Sequence, residues 1–517
     1  MSDLGFWRNA AEDPARRALV EPDGRTWSAG ALLAASNRLV HGLRALGLER
    51  GEVVATVLPN GAPMIALYLA ATQAGWYLVP INFHLTGPEI AYILNDSAAK
   101  ALVADERFAA ACATAVAETP ALPARARFAV GRIAGFRPWE ELTEGQPDAP
   151  PADRVAGQVM NYTSGTTGRP KGVRRPLAPY DPDAVGATFA MLLAMFGIQP
   201  AGDGVHLTGS PLYHTAVLTF TGCSLHFGHE VVLMDKWTPE RALEMIARHR
   251  VTTTHMVPTQ FHRLLALPDA VKDRADVSSL RHVIHAAAPC PVEVKRRMLA
   301  WWGPVIYEYY AASEGGGTLV TPEEWLRYPG TVGRAWPGSE IRILDDEGNR
   351  KPAGEPGTVY MALGAQDFEY HGDRAKTAAN RRDGFFTVGD VGFLNEDGYL
   401  FLCDRKIDMI ISGGANIYPT EVENVLLMHP KVADAAVFGI PDDDWGEQVK
   451  AVVEPAAGVQ PDAALAEDVI AFCAARIAKY KCPRSVDFVS EMPRDPNGKL
   501  YKRKLRDPYW QGRERAI

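Results

Sequence analysis

Leu32, Leu33, Leu39, Val40, Leu43 and Leu46 recur at helical spacing, and the next segment, GEVVATVLPN, has the short apolar run of a buried strand. Residues 30 to 81 therefore predict a helix followed by strand, helix, strand. The apolar stretch from Met64 to Ile81 contains Gln73, Gly75 and Pro80, so it reads as a helix running into a strand and not as a membrane span. The alternation returns around 225 to 265 and 277 to 310, and it implies a parallel or mixed sheet covered on both faces. Residues 137 to 154, RPWEELTEGQPDAPPADR, combine proline and acids without periodicity and predict a surface connection. Beyond about 404 the texture changes: IDMIISGG, PTEVENVLLMHPKV, VADAAVFGIP, QVKAVVEP, DVIAFCAARIAKY and RSVDFVSEMP alternate strand and helix on the scale of a small domain. This places a large N-terminal domain over 1–404, a hinge at 405–408 and a C-terminal domain over 409–517.

The chain of 517 residues is longer than one hydrophobic core usually serves. Lys and Arg number 54 against 62 Asp and Glu, a net charge of −8 that argues against a duplex nucleic-acid binder, so an anionic ligand must be met locally. The six cysteines form no CxxC pair, which disfavours a disulfide framework or a zinc site and fits a reducing compartment. The opening MSDLGFWRNAAEDPARR has early acids and no long apolar core, so no signal peptide is predicted and a cytoplasmic location is expected.

The segment QVMNYTSGTTGRPKGV is a strand-like run followed by Thr163, Ser164, Gly165, Thr166, Thr167, Gly168 and Lys171. Small residues let backbone N–H groups approach an anion, the hydroxyls donate further bonds and the lysine adds a point charge. This is a phosphate cradle, although GTTG in isolation would read as a polar turn. It is not the P-loop of ATPases: five positions on from Gly165 stands Pro170, which has no N–H, and Lys171 is followed by Gly172 where a hydroxyl residue is needed.

The segment resembles the signature of the adenylate-forming superfamily of acyl-CoA synthetases, luciferases and peptide-synthetase adenylation domains. SPLYHTA (210–216), HAAAPCP (285–291), YEYYAASEGG (307–316), GTVYMA (357–362), FFTVGD (385–390), DRKIDMIISGGANIYPTEVE (404–423) and PRDPNGKLYKRKLR (493–506) follow in the family's order. The chain is most similar to bacterial fatty-acid-type acyl-CoA synthetases. The resemblance implies an α/β fold with a large N-terminal domain of mixed sheets and a small mobile α+β C-terminal domain. It also implies a reaction in which a carboxylate attacks the α-phosphate of ATP and the acyl group then passes from the adenylate to a thiol. ATP and CoA are the implied co-substrates, Mg²⁺ the cofactor and a small carboxylic acid the partner. Nucleic acid and integral membrane contact are not implied, and a homodimer is left open.

By the same resemblance Glu314 holds Mg²⁺ on the ATP phosphates, Tyr310 stacks on adenine and Ser313 stands beside the phosphates. Ala287, Ala288, Pro289, Glu308, Tyr309 and Ala311 belong to the nucleotide site, Asp390 accepts from the ribose hydroxyls, and Arg405 reaches ribose and phosphate. Lys499, just after the turn-forming pair Asn497 and Gly498, matches the lysine that bridges carboxylate and α-phosphate. Taken alone, these positions have plainer readings: a surface Glu, a core Tyr, an Asx-type turn cap at Asp390, a surface ion pair at Arg405. Lys502, Arg503, Lys504 and Arg506 read as a solvated basic face. His214 matches a gate between acyl and pantetheine channels, with a satisfied core histidine as the alternative.

Ser412, Gly413 and Gly414 match the edge that runs beside pantetheine, or else form a plain strand-turn glycine pair, and Trp445 and Tyr480 match positions flanking the CoA adenine. His214, Ala216, Phe220, Phe261, Ala286, Gly315 and Gly316 are expected to line an acyl pocket that favours an apolar acid. His255, His262 and His285 stand near enough to bond a polar substituent, or are simply packed or exposed. One departure stands out: relatives carry Lys or Asp at the hinge where this chain has Ile407, with Lys406 and Asp408 as candidate compensations. The alternatives to an acyl-CoA ligase are an enzyme for one half-reaction, a carrier-protein loader and a non-catalytic nucleotide binder.

Overall fold

Helix Ala62–Ala74 is apolar on every side, and a helix with no polar stripe must be enclosed. Eleven of its thirteen residues are buried, and Gly75, at φ 74, ends it in the left-handed conformation before strand Tyr77–Pro80 begins. The predicted helix-into-strand reading of this segment is what the computed structural model shows. The structure describes residues 4–163, 170–312, 315–362, 369–371, 374–494 and 500–511. Contacts within the chain gather into two units: Met1–Met256 with Pro268–Ile284 and Ala365–Ala379, and Val257–Leu267 with His285–Gly364 and Asn380–Ile517.

In the first unit, six strands run in the order Arg137–Pro138, Arg127–Val130, Ala101–Asp105, Val53–Val57, Tyr77–Pro80, Gln158–Val159, every pair parallel. Val53–Val57 is buried at all five positions, the mark of a strand covered on both faces. A second sheet orders Thr253–Met256, Val205–Thr208, Glu230–Leu233, Arg17–Val20 and Thr26–Ser28, with only the last pair antiparallel. Strands Asn161–Thr163, Lys171–Arg174 and Glu369–Tyr370 form a small antiparallel sheet. The segment 137–154 is less free than its composition predicts. Arg137–Pro138 pairs into the sheet, Leu142 is buried, and a Cβ on Gly42 would stand 1.9 Å from the Leu142 carbonyl oxygen. The glycine in helix Ala29–Ala45 is what lets this stretch lie flat against it.

In the second unit, strands Ile306–Ala312, Gly315–Val320 and Arg334–Ala335 are antiparallel, as are those of a sheet that includes Gly357–Ala362, Asp390–Leu394 and Leu400–Arg405. Further on, the hairpin Val432–Asp442 and Gly446–Pro455 is joined by Ile410–Ser412 and by Ser485–Phe488. Alternate residues of its first strand serve two cores. Ala435 and Val437 pack with Ile410, Leu426 and Val469, while Ala436 and Phe438 pack with Val452 and Met492. Among the described residues, no helix is long and apolar enough to cross a membrane.

His226, 2% exposed at the end of helix Thr215–His226, accepts the Phe6 N–H on Nδ1 at 3.1 Å and so must keep a lone pair there. Burial lowers it from 6.5 to about 4. Between those values the unfolded chain binds a proton that the folded chain refuses, so stability falls as pH drops through this window. The thermal midpoint should decline there, and less steeply in His226→Gln. Buried His206 and half-buried His282, lowered to about 3 and about 4, keep part of the slope. A pH series of melting curves checks it.

Candidate functional site

Strand Ile306–Ala312 carries the YEYYAA part of its motif and lies antiparallel to Gly315–Val320. The Tyr310 hydroxyl donates to Asp390 Oδ2 at 2.6 Å. Asp390 stands directly across from Arg405 in the antiparallel pair, with Arg405 Nε 3.4 Å from Oδ1. The carboxylate is mostly enclosed, while Arg405 keeps nearly half of its side chain in solvent. One anion is thus held between a phenol and a guanidinium whose outer face remains open. Three residues from distant motifs, 310, 390 and 405, are thus brought together.

Glu308, two residues before Tyr310, turns into the interior. Its Oε2 lies 2.7 Å from Lys295 Nζ and 3.4 Å from His285 Nε2. Burial pushes this carboxyl up, but Lys295 and His285 outweigh it and hold it down at about 2. Burial also holds His285 below its ordinary range and lifts the Tyr309 phenol above its own. Lys295 was missed by the sequence reading, yet it lies on the same helical stripe as the buried Met298, Leu299 and Trp302. A cation on an apolar stripe is the signal that would have found it.

The loop after His285 has an unusual backbone. Ala286 is buried, Ala287 and Pro289 are exposed, and Ala287 has φ 74, a left-handed conformation that costs a non-glycine residue roughly 1–2 kcal/mol. Such strain persists only where the surroundings dictate it, and it clusters at functional sites. Gly315 and Gly316 also have positive φ. Gly317 is required for a different reason, because a Cβ there would stand 2.4 Å from the Tyr310 carbonyl oxygen and 2.7 Å from the Trp336 ring. Phe261 is fully buried with its ring edge-on to His285 at 5.1 Å. His262 is held below its ordinary range by burial.

In the first unit, Lys171 opens a strand in register with Thr163. Ser164, Gly165, Thr166, Thr167, Gly168, Ser313, Glu314 and Lys499 lie outside the described residues. His214 immediately precedes helix Thr215–His226, Ala216 is half-buried, and buried Phe220 stacks on His255 at 5.0 Å. The PLYH segment is pinned by a residue the sequence reading passed over. Buried Asn60 donates to the carbonyls of Ser210 and Met234 at 3.0 and 2.9 Å and accepts the Leu212 N–H at 2.8 Å. Among the described residues, no group of three or more His, Cys, Asp or Glu is arranged to hold a metal.

Farther along the second unit, Ser412 pairs with Ala415 across Gly413 and Gly414, at φ 56 and 79, the two-residue hairpin that needs left-handed residues at both centres. The Gly413 N–H donates to the Trp445 carbonyl at 2.8 Å, and a Cβ on Gly413 would meet the Trp445 ring at 2.4 Å. At Gly414 a Cβ would meet nothing within 4 Å. Trp445 and Tyr480 are exposed, and the Arg484 guanidinium lies 5.0 Å from the Trp445 ring centroid.

The charges around Ile407 are engaged: Asp404 Oδ2 accepts the Thr420 N–H and hydroxyl at 2.9 Å each, and Lys406 meets Asp346. Ile407 is exposed. The expected solvated basic face is corrected. Lys502 and Arg506, four apart on helix Lys502–Arg506, turn inward to Glu423 at 2.8 Å and Asp408 at 3.5 Å, while Arg503 and Lys504 stay outside. Arg494 grips Asp434 with two bonds, at 2.5 and 2.7 Å, and bridges Leu500, fixing both ends of the segment that leads to Lys499.

Two family models match the chain, that of AMP-binding enzymes over residues 6–366 and that of the C-terminal domain of AMP-binding enzymes over 421–499. The chain is 33% identical to the fatty acid–[acyl-carrier-protein] ligase ScoC of Streptomyces coeruleorubidus, over 98% of this chain and 96% of that one. It is also 33% identical to a feruloyl-CoA synthase of an Amycolatopsis species, over 97% and 98%. The solved structure of the amide bond synthetase McbA from Marinactinospora thermotolerans superposes with a TM-score of 0.83 at 29% identity, covering 98% of this chain and 99% of that one.

The close approach at Gly317 generates a test. Gly317→Ala should force its strand away from Tyr310 and Trp336 and remove about 1–3 kcal/mol of stability, read as a lower denaturant midpoint.

Proposed function

The chain belongs to the family of AMP-binding enzymes, and from that premise we propose that it is an ATP-dependent acyl-CoA ligase of the AMP-forming kind. The observation that carries the reading is the match, over nearly the whole of both chains, to an enzyme that makes a CoA thioester. A carboxylate oxygen attacks the α-phosphorus of ATP, the bond to the β-phosphate oxygen breaks and pyrophosphate leaves. The CoA sulfur, its thiol proton lost to solvent, then attacks the acyl carbon, and AMP leaves with the electron pair of the broken acyl–phosphate anhydride bond. Both steps bring anions together, so catalysis here is neutralisation and positioning.

Each side chain has a place in this scheme. Asp390, fixed by Tyr310 and flanked by Arg405, offers the ribose hydroxyls a carboxylate, and the open face of Arg405 offers the phosphates a cation. Thr163 to Gly168 and Lys171 receive the outer phosphates. The strained 286–289 loop presents backbone groups beside the base. Mg²⁺, when bound through Glu314 and the phosphates, supplies charge neutralisation to the departing pyrophosphate. Lys499 bridges the two reacting anions. His214, at its helix start, gates the acyl channel, and Phe220, Phe261 and Ala286 give that channel its apolar character. The thiol enters past the bare turn Gly413–Gly414, whose second residue has open space, while Trp445 and Tyr480 offer faces to the CoA adenine.

The chain is divided at 405–408, with the part beyond forming a unit that swings between the two steps. Its separate core, from Ile410 to Cys482, supports this division. A second acceptor, a carrier protein, is favoured by the equal identity to a carrier-protein ligase.

The deciding assay supplies ATP, Mg²⁺ and a panel of fatty and aryl acids, with CoA or with a phosphopantetheinylated carrier protein, and follows pyrophosphate and thioester by mass spectrometry. CoA thioester is expected, and thioester on the carrier protein alone would favour the second acceptor. Lys499→Ala should lower adenylation by at least about a hundredfold, roughly 3 kcal/mol of transition-state stabilisation, while a supplied acyl-adenylate still becomes thioester. Equal loss of both steps would remove Lys499 from the scheme.

A further inference from the structure

Lys295 and Glu308 form a buried ion pair: the lysine side chain is 0% exposed and the glutamate 7%. Burying two charges costs solvation that their mutual attraction seldom exceeds, and an apolar pair of the same volume usually serves stability as well. What the ion pair adds is direction. A 2.7 Å bond from Nζ to Oε2 exists at one register of the two elements and is lost when either slides.

Four segments of the second unit converge on it. Glu308 comes from strand Ile306–Ala312, Lys295 from helix Val292–Trp302, and His285, 3.4 Å from the same carboxylate oxygen, from the start of the 286–291 loop. Trp325, of helix Pro322–Arg327, lies with its ring centroid 4.9 Å from Lys295 Nζ. Both features assigned to the nucleotide start two residues away. Glu308 and Tyr310 project from one face of their strand, as residues i and i+2 do, and Tyr310 carries the bond to Asp390. His285 precedes by two the left-handed Ala287.

We propose that Glu308, Lys295 and His285 are positioning residues for the nucleotide. The buried pair sets the register of the Tyr310 strand, and His285 ties the 286–289 loop to that register, although none of the three touches the ligand. This rests on the reading of Tyr310, Asp390 and the 286–289 loop as the adenosine site, and it replaces the direct contact that the motif alone suggests for Glu308.

The experiment separates register from stability. Lys295→Met alone leaves a buried carboxylate without its cation and lowers the unfolding midpoint. The double variant Lys295→Met/Glu308→Gln removes both charges at nearly constant volume and brings the midpoint back. Glu308→Asp keeps the charge and shortens the reach by one methylene. For the double variant and for Glu308→Asp, KM for ATP is expected to rise at least about tenfold while KM for CoA moves less than about twofold, a split that general loosening does not produce. Wild-type KM for ATP in Glu308→Asp, or an equal rise in both constants, overturns the proposal. Tyr310→Phe is the control: if it leaves KM for ATP unchanged, the adenosine-site reading fails and the proposal with it. If Tyr310→Phe raises KM for ATP and the Glu308 variants do not, only the positioning claim fails.

Discussion

A carboxylate closed off from water has to meet its counter-charge inside the protein, and Glu308 meets it in Lys295. That requirement fixes where a strand and a helix lie against each other, and a line of polar contacts continues from it through the second unit. Tyr310, on the same strand, holds Asp390, and Asp390 faces Arg405 across the next pair of strands. Arg405 is adjacent in the chain to Asp404, which caps Thr420 at the start of helix Pro419–Leu426. Glu423 of that helix takes Lys502, and Arg506 on the same helical face as Lys502 returns to Asp408, close in the chain to Arg405. Directed bonds and charge pairs alternate with steps along a strand or helix, so position along this line is set by specific partners as well as by apolar contact.

Much of this was legible in the sequence, for identifiable reasons. The alternation of helical and strand periods gave a parallel sheet covered on both faces, because full burial leaves a continuous apolar run. The Tyr-Tyr motif and the Asp390 and Arg405 segments stood out because they resemble, in the same order, motifs of the adenylate-forming superfamily. The sign of Ile407's neighbours was also readable, though not their partners.

What escaped notice was direction. Lys502 and Arg506 look like a basic face until the helix places them four apart toward Glu423 and Asp408. Asn60, Lys295 and the Arg494–Asp434 grip join segments separated by tens of residues or more, or act through groups that carry no local motif. The proline-rich 137–154 stretch read as loose because composition reports the absence of periodicity, whereas its order comes from a glycine in a distant helix that admits the Leu142 carbonyl. Periodicity reveals which face of an element is wet, but a polar side chain that finds its partner across the fold contributes nothing to the pattern.

Ala287 carries one more consequence. Glycine would occupy the same left-handed backbone without strain, yet it would also roam far more freely whenever the loop is released. Alanine prefers other backbone regions, so the loop keeps this shape only while its surroundings hold it. On the reading proposed for this loop, a nucleotide that arrives while it is so held meets a surface already arranged, and binding costs less conformational entropy than it would against a loop that had to be ordered anew.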